Sequence, residues 1–524
     1  MKLIITILLA LLTAPAACGL DLDSLLRQSV GGDAAVDVLR DVRTVRTTGT
    51  IVLNGEAGVF AQYYQAPDKY YIEVVFSNFS LVQGYDGKIA WQQDLNGGLS
   101  ELSGFARREL LWTVYFESHG YLFDEDQKIK KTYLGVSELP TGFFHEVAFY
   151  SNEADTVRCY FDVLSGLRRQ MLTPIDQLVA SSIFDDFRTV SGVLVPFSTT
   201  LIVEEAGLLT EFLADSIELN GAIPDMVFTM PSAARHDYHF PDSVVQVTIP
   251  FEYAGGQIRI PVTINGRRTV WVILDSGASA NILHSRTVAD LALPQVGSLP
   301  AMGMAGYEQV ALVQTDSIQI GELTLYEQVA GSMDMSLLSG RLDQKNLFGG
   351  IVGYDFLSRF PMLINFEAST VTVFNPETYE PPPGGSEIAF HLTLLVPTVH
   401  GEIVGVGGDF IVDLGNALGL VLHHDFVTEH RLGEKLEAVG DNEIGLGGLG
   451  GVLAGRKALA GSFRMGDVVI DSLVVVMPDS AMGIAGSQEL AGNIGIRVLE
   501  NYRVLLDYRN SRLILYDTER TTER

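Results

Sequence analysis

From Thr48 to Phe76 the chain reads TGTIVLNGEAGVFAQYYQAPDKYYIEVVF, apolar and polar positions alternating in short runs broken at Gly, Asn and Pro. A period of two marks strands with one face buried, and the breakers mark the turns between them. LVQGYDGKIAWQQD continues the pattern, with Asp86-Gly87 suited to a hairpin turn. Further alternating runs follow at HEVAFYS, VRCYFDVLSGLRRQML and VLVPFSTTLIV, whereas LDSLLRQSVGGDAAVDVLRDV ahead of them has a helical spacing. The pattern predicts a curved antiparallel sheet wrapped around helices.

Beyond Val244 the pattern changes and then repeats. VILDSGASANILHSRTVADLAL is followed by LFGGIVGYDFLSRFPMLINFEASTVTVF, and FIVDLGNALGLVLHHDFVTEHRL by LAGNIGIRVLENYRVLLDYRNSRLILY. Both units run apolar strand, Asp-x-Gly, apolar strand, His-led helix start, then a Gly turn and an alternating strand pair. By subtraction of residue numbers, Asp275 to Gly353 is 78 positions and Asp413 to Gly495 is 82. MPSAARHDYHFP (Met230–Pro241) and NPETYEPPPGGSE (Asn375–Glu387) read as linkers. The expected division is a signal peptide over 1–17, a β domain over 20–232, a first lobe over 242–378 and a second over 386–520.

Composition narrows the function. The 524 residues are 47% hydrophobic with 53 glycines, too long for one core and too apolar for a disordered chain. A net charge of −29 excludes nucleic acid as a partner, since phosphate binding needs clustered cations. Lys2, the apolar run Leu3–Leu12 and the small residues Ala14-Pro15-Ala16 predict a secretory signal peptide, too short for a membrane span. Ala16-Ala17-Cys18 approaches a lipobox, with Pro15 poor at its first position, so Cys18 is a candidate lipidation site beside plain cleavage at Ala16 or Ala17. Cys159 is then unpaired, and the exported chain has no internal disulfide to rely on. His284, His423 and His424 lack a neighbouring carboxylate or Cys spacing that would complete a metal site, so neither metal nor cofactor is expected.

Asp275-Ser276-Gly277-Ala278 between apolar strands, with GGIVGYDFL downstream, resembles the active-site loop and the packing Gly turn of the aspartic peptidases. The resemblance spans about Val244 to Tyr516. Its unit length is closest to the retropepsin-like group, here in tandem. It implies a mainly β fold of two pseudo-symmetric lobes and a dyad of Asp275 and Asp413 hydrolysing peptide bonds. Two close carboxylates share one proton, the ionised one activating water and the protonated one polarising the carbonyl. Ser276, Gly277, Gly415 and Asn416 would support the loops, and Tyr307 in GMAGYEQVAL would tip a covering flap, with GLGGLGGVLAG at the matching place in the second unit.

The second loop departs from the family: Leu414 stands where a Thr or Ser hydroxyl would grip the opposite loop. Ser276 can still grip from its side, and Asn416 can orient the outer oxygen of Asp413. The alternative to an endopeptidase is therefore a non-catalytic pseudoprotease, or a lipid or lipoprotein handler, using the same cleft. Pairing of the first lobe with a second chain is less favoured, because a partner lobe is already tethered nearby; no oligomer is required.

QAPDKYYIE, GYDGKIAWQQ, YFDVLSGLRR and FRTVSGVLVPF resemble segments of periplasmic lipoprotein carriers of the LolA/LolB type. That resemblance implies an N-terminal half-barrel closed by helices that accepts a lipid or acyl chain, and a periplasmic or outer-membrane-associated location in a Gram-negative-type bacterium.

Overall fold

The computed structural model describes residues 20–123, 128–151, 155–232, 236–339 and 347–518. Cys18 and the expected signal peptide lie outside the described residues. The protein is mainly β, as the alternation predicts.

Thirteen strands between Thr44 and Leu219 form one antiparallel sheet. The chain meanders outward to one edge at Leu99–Glu101 and re-enters at the other edge, Lys130–Leu139. It closes by pairing its last strand, Leu208–Leu219, with its first, Thr44–Leu53. The predicted helical stretch divides into Leu22–Gln28 and Asp33–Arg40 because Gly31 and Gly32 take φ of 111° and 88°, which a side chain disfavours. These helices and Gly104–Glu117 bury Leu25, Leu26, Val36, Trp112 and Phe116 against Val147, Phe149, Val157 and Phe161 of the sheet. Cys159 is fully buried there as a free thiol, pushed up to about 12 by desolvation.

The rest of the chain builds three sheets. One sheet of the first lobe takes nine of the described strands between Tyr238 and Val352, and one sheet of the second takes eight between His391 and Ile494. In each lobe the strand entering the Asp-x-Gly loop runs parallel to the strand that ends at the later Gly turn. Arg268–Leu274 lies beside Phe348–Val352, and Val406–Val412 beside Leu490–Ile494. These strands are covered on both faces, which is why they read as continuous apolar runs. A third sheet takes three strands from each lobe and joins them where Met362–Asn365 pairs with Tyr502–Asp507.

The presumed linker ends are more structured than their polarity suggests. Ser386–Ala389 is a strand paired with Arg512–Asp517. Asp237, 3% exposed, bonds the buried Arg359 at 2.9 Å and the Gln328 amide at 2.9 Å. Arg359 also lies 3.9 Å from Asp94 of the N-terminal sheet. Asn96 of the same turn donates to Asp355 (2.9 Å) and to the Val329 carbonyl (3.0 Å). The N-terminal sheet is thus fixed to the first lobe through a buried polar cluster of three carboxyls around one guanidinium.

Candidate active site

Each aspartate arrives at the end of its strand with its backbone amide still paired: Asp275 N–H to the Val352 carbonyl (3.0 Å), Asp413 N–H to that of Ile494 (2.9 Å). The turns then bring the two buried carboxyls together, each against the glycine of the opposite loop. The glycines make this approach possible. A methyl on Gly277 would lie 2.6 Å from the Asp413 carboxyl carbon, and one on Gly415 would overlap the Asp275 carboxyl.

Ser276, fully buried, donates its hydroxyl to the Val412 carbonyl (2.6 Å) and accepts from the Leu414 amide (3.0 Å). The grip from the first lobe is therefore in place. Leu414, fully buried in the apolar core, makes no reciprocal side-chain bond. Asn416 reaches Asp413 Oδ1 through its backbone amide (2.9 Å), alongside that of Gly415 (3.0 Å). Its side-chain oxygen accepts from Leu418 N–H (3.0 Å), so the Asn416 side chain shapes the loop and does not orient the outer oxygen of Asp413.

That outer oxygen, Oδ2, is held by a residue the sequence reading passed over. Asn493 Nδ2 donates to it at 3.0 Å, and Asn493 Oδ1 lies 2.7 Å from His423 Nε2. Asp275 has no counterpart, because the matching strand position, paired with Ile282 as Asn493 is with Val421, is Ile351. Burial raises the pKa of both aspartates. Asp275 is pushed well up by burial and then by the Asp413 charge, whereas Asn493, the Asn416 amide and Asp275 itself offset the rise at Asp413. Tyr508, buried near the pair, is raised far above the usual phenol range by burial, then by Tyr354 and the two aspartates.

Two hairpins, one from each lobe, meet tip to tip. In the first, the last strand pair is Gly303 with Gly306, so the tip is Met304-Ala305. Tyr307 is one pair back from it, which corrects the expectation that it forms the tip. In the second hairpin, Gly448 pairs with Gly451 and Leu449-Gly450 forms the tip. Ala305 N–H donates to the Leu449 carbonyl (3.1 Å), and Ala305 packs with Val421, Leu446, Leu453 and Val476 of the second lobe. The Tyr307 hydroxyl contacts Met302 Sδ (3.2 Å) and accepts from Gln177 Nε2 (3.3 Å) of the N-terminal sheet.

That turn of the N-terminal sheet, Asp176-Gln177, also braces the second lobe. Gln177 Nε2 donates to the Gly483 carbonyl, and Asp176 accepts from Gln488 N–H at 2.8 Å. Glu489 beside them accepts from Phe105 N–H (3.0 Å) and pairs with Arg108. Elsewhere His284 caps the helix Ser285–Leu291 by accepting from Arg286 N–H, and His424 contacts Asp425. Among the described residues no group of three or more His, Cys, Asp or Glu side chains forms a metal-ligand set.

Residues 260–356 match the aspartyl protease family model, so the chain contains an aspartic-protease-like region. No curated protein matches the chain in sequence. Among solved structures it is similar to an aspartic proteinase from Irpex lacteus, at 13% identity over 53% of this chain and 98% of that one, with a TM-score of 0.37. It is also similar to a DUF1329 family protein from Desulfovibrio piger (10% identity, 39% and 95% covered, TM-score 0.29). A domain assigned to outer membrane lipoprotein sorting in Vibrio parahaemolyticus gives 8% identity, 36% and 89% covered, and a TM-score of 0.27.

Proposed function

We propose that this chain is an exported aspartic endopeptidase in which Asp275 and Asp413 form the catalytic dyad, supported by Ser276, Gly277 and Gly415. The observation that carries the reading is the close approach of two buried carboxyls on facing Asp-x-Gly loops, each against the other loop's glycine, with one loop inside the family match. Ionised Asp413 takes a proton from a water held between the carboxyls, and the water oxygen bonds the scissile carbonyl carbon. Asp275 gives its proton to the carbonyl oxygen. In the resulting gem-diol the proton now on Asp413 passes to the amide nitrogen, the C–N bond breaks, and a proton from a diol hydroxyl returns to Asp275. The step needs two groups of split acidity, which the unequal donor sets of the two carboxyls supply.

The units are a duplicated pair of lobes over 242–378 and 386–520, preceded by a carrier-like domain over 20–232. The apolar run Leu3–Leu12 supports export to the periplasm. The N-terminal domain accepts an acyl chain in a cavity of about 920 Å³ where Leu22, Leu122, Phe123 and Ile129 line the wall together with Arg27, Arg40, Lys128, Lys130 and Lys131. Mass spectrometry of solvent extracts from the native protein checks that part, and the absence of co-purifying lipid removes it.

The peptidase reading is tested by incubating the full chain with a peptide library between pH 3 and 7, with and without a statine-type inhibitor. Inhibitor-sensitive cleavage that is lost in both Asp275→Asn and Asp413→Asn is the expected result. Parental activity in Asp413→Asn would show that the second carboxyl takes no part.

A further inference from the structure

We propose that His423 and Asn493 are positioning residues for this hydrolysis: the imidazole fixes the Asn493 amide, and the amide fixes Asp413 as the ionised member of the pair. Asn493 acts from the strand that runs parallel to the one entering the Asp413 loop. The inference rests on the dyad reading and specifies which carboxyl is the base and what makes it so.

The hydrogen-bond directions follow from the donor inventory. An ionised carboxylate only accepts, so the Asn493 atom 3.0 Å from Asp413 Oδ2 is its NH₂ and the other is its carbonyl oxygen. That oxygen has a ring nitrogen 2.7 Å away, which must carry a hydrogen. The His423 tautomer is thereby one that carries its hydrogen on Nε2. His423 is fully buried and Asn493 is 4% exposed, so water does not compete for either bond. Desolvation lowers the imidazole to about 4, against smaller opposing effects from Asn493, the Leu490 carbonyl and Asp425. The ring therefore stays neutral through most of the range in which an aspartate pair works. A neutral ring can orient the amide without adding a charge next to Asp413.

The two lobes differ at this point. Asp413 accepts from three N–H donors: Gly415, Asn416 and Asn493. Asp275 accepts from Gly277 N–H at 2.8 Å and shares the Gly415 amide. At the strand position matching Asn493 the first lobe has Ile351, and His284, which matches His423, turns to cap a helix. Each donor to a carboxylate favours its charged form. The charged groups that bear on the pair are the two aspartates themselves, with Tyr508 neutral near them. Asn493 is thus the side chain that breaks the symmetry of the dyad.

The test uses the full chain carrying Asn493→Ile, the residue of the first lobe, and His423→Phe, which keeps a ring and removes the donor. His423→Gln, which retains an N–H near the Nε2 position, is the conservative variant. With the best-cleaved library peptide, the expected result for the first two is a kcat lowered about 10- to 100-fold with KM within twofold. The acid limb of kcat/KM rises by about one pH unit, while His423→Gln keeps both within threefold of the parent. An unmoved acid limb in Asn493→Ile, or equal losses in His423→Phe and His423→Gln, overturns the proposal.

A readout independent of turnover separates it from the dyad reading. In protein labelled with [13C]carboxyl aspartate, with Asp413 assigned by Asp413→Asn, Asp413 should ionise below Asp275, and Asn493→Ile should abolish that order. A parent that cleaves no peptide but shows this order sinks the peptidase reading and keeps the positioning one. Retention of the order in Asn493→Ile sinks the positioning one.

Discussion

Replacing Gln177 by Ala should loosen the contact between the two hairpin tips, and the structure sets the size of the effect. The side chain donates to the Tyr307 hydroxyl and to the Gly483 carbonyl, tying the first hairpin to the second lobe. Two neutral hydrogen bonds at about 1 kcal/mol each give roughly 2 kcal/mol of bias toward closure. That corresponds to about a 30-fold change in the opening equilibrium. The reporter is the Ala305 amide, which donates to the Leu449 carbonyl across the hairpin tips and exchanges only when they part. Under conditions where reclosing outruns exchange, hydrogen exchange at Ala305 should be about 30-fold faster in Gln177→Ala. Amides of the sheet joining the lobes, such as Leu363 and Leu505, should keep their rates. An Ala305 rate within twofold of the parent would refute the reasoning, because the turn would then rest on the hairpin without holding it.

Other consequences follow from the same contacts. Gly415→Ala places a methyl on the Asp275 carboxyl, so peptide hydrolysis should fall by about 100-fold or more while circular dichroism keeps its β signature. Glu109 on the helix Gly104–Glu117 is raised to about 7 by burial. A raised carboxyl adds stability that is full below its unfolded value near 4.5 and lost as pH rises through 7. Glu109→Gln should therefore stabilise the N-terminal domain by up to about 3 kcal/mol at pH 8 and change little at pH 4, read from thermal melts. Arg359→Met strands Asp94, Asp237 and Asp355, and should cost about 3–5 kcal/mol at pH 7.5. The loss should shrink below pH 5, since burial raises Asp94 and lifts Asp355 to about 6, so both take up protons. An equal loss at both pH values would show that these carboxyls do not carry buried charge.

What was legible in the sequence was what local pattern encodes. Period-two alternation announced the N-terminal strands, and two apolar runs each ending in Asp-x-Gly announced the facing loops, because strand, turn and carboxylate are contiguous in the chain. Asn493 was not legible. It lies 80 positions from Asp413 and reaches it through a parallel strand pairing, and LAGNIG carries no mark of polarity beyond one amide. His423 was visible but its partner was not. The segment around Asp237 read as a solvated linker because it is polar, yet its carboxyl is buried on Arg359, and a lone arginine does not announce where it will be enclosed. Tyr307 was placed one strand pair too far out, since the hairpin register is fixed by Gly303 and Gly306.

The seam between Met362–Asn365 and Tyr502–Asp507 has one more consequence. The two lobes that carry the carboxyls are stitched together by one continuous sheet, so the site assembles within a single molecule. Specific activity should then hold constant on dilution. An Asp275→Asn chain mixed with an Asp413→Asn chain should not complement it, because neither chain can lend its intact half to the other.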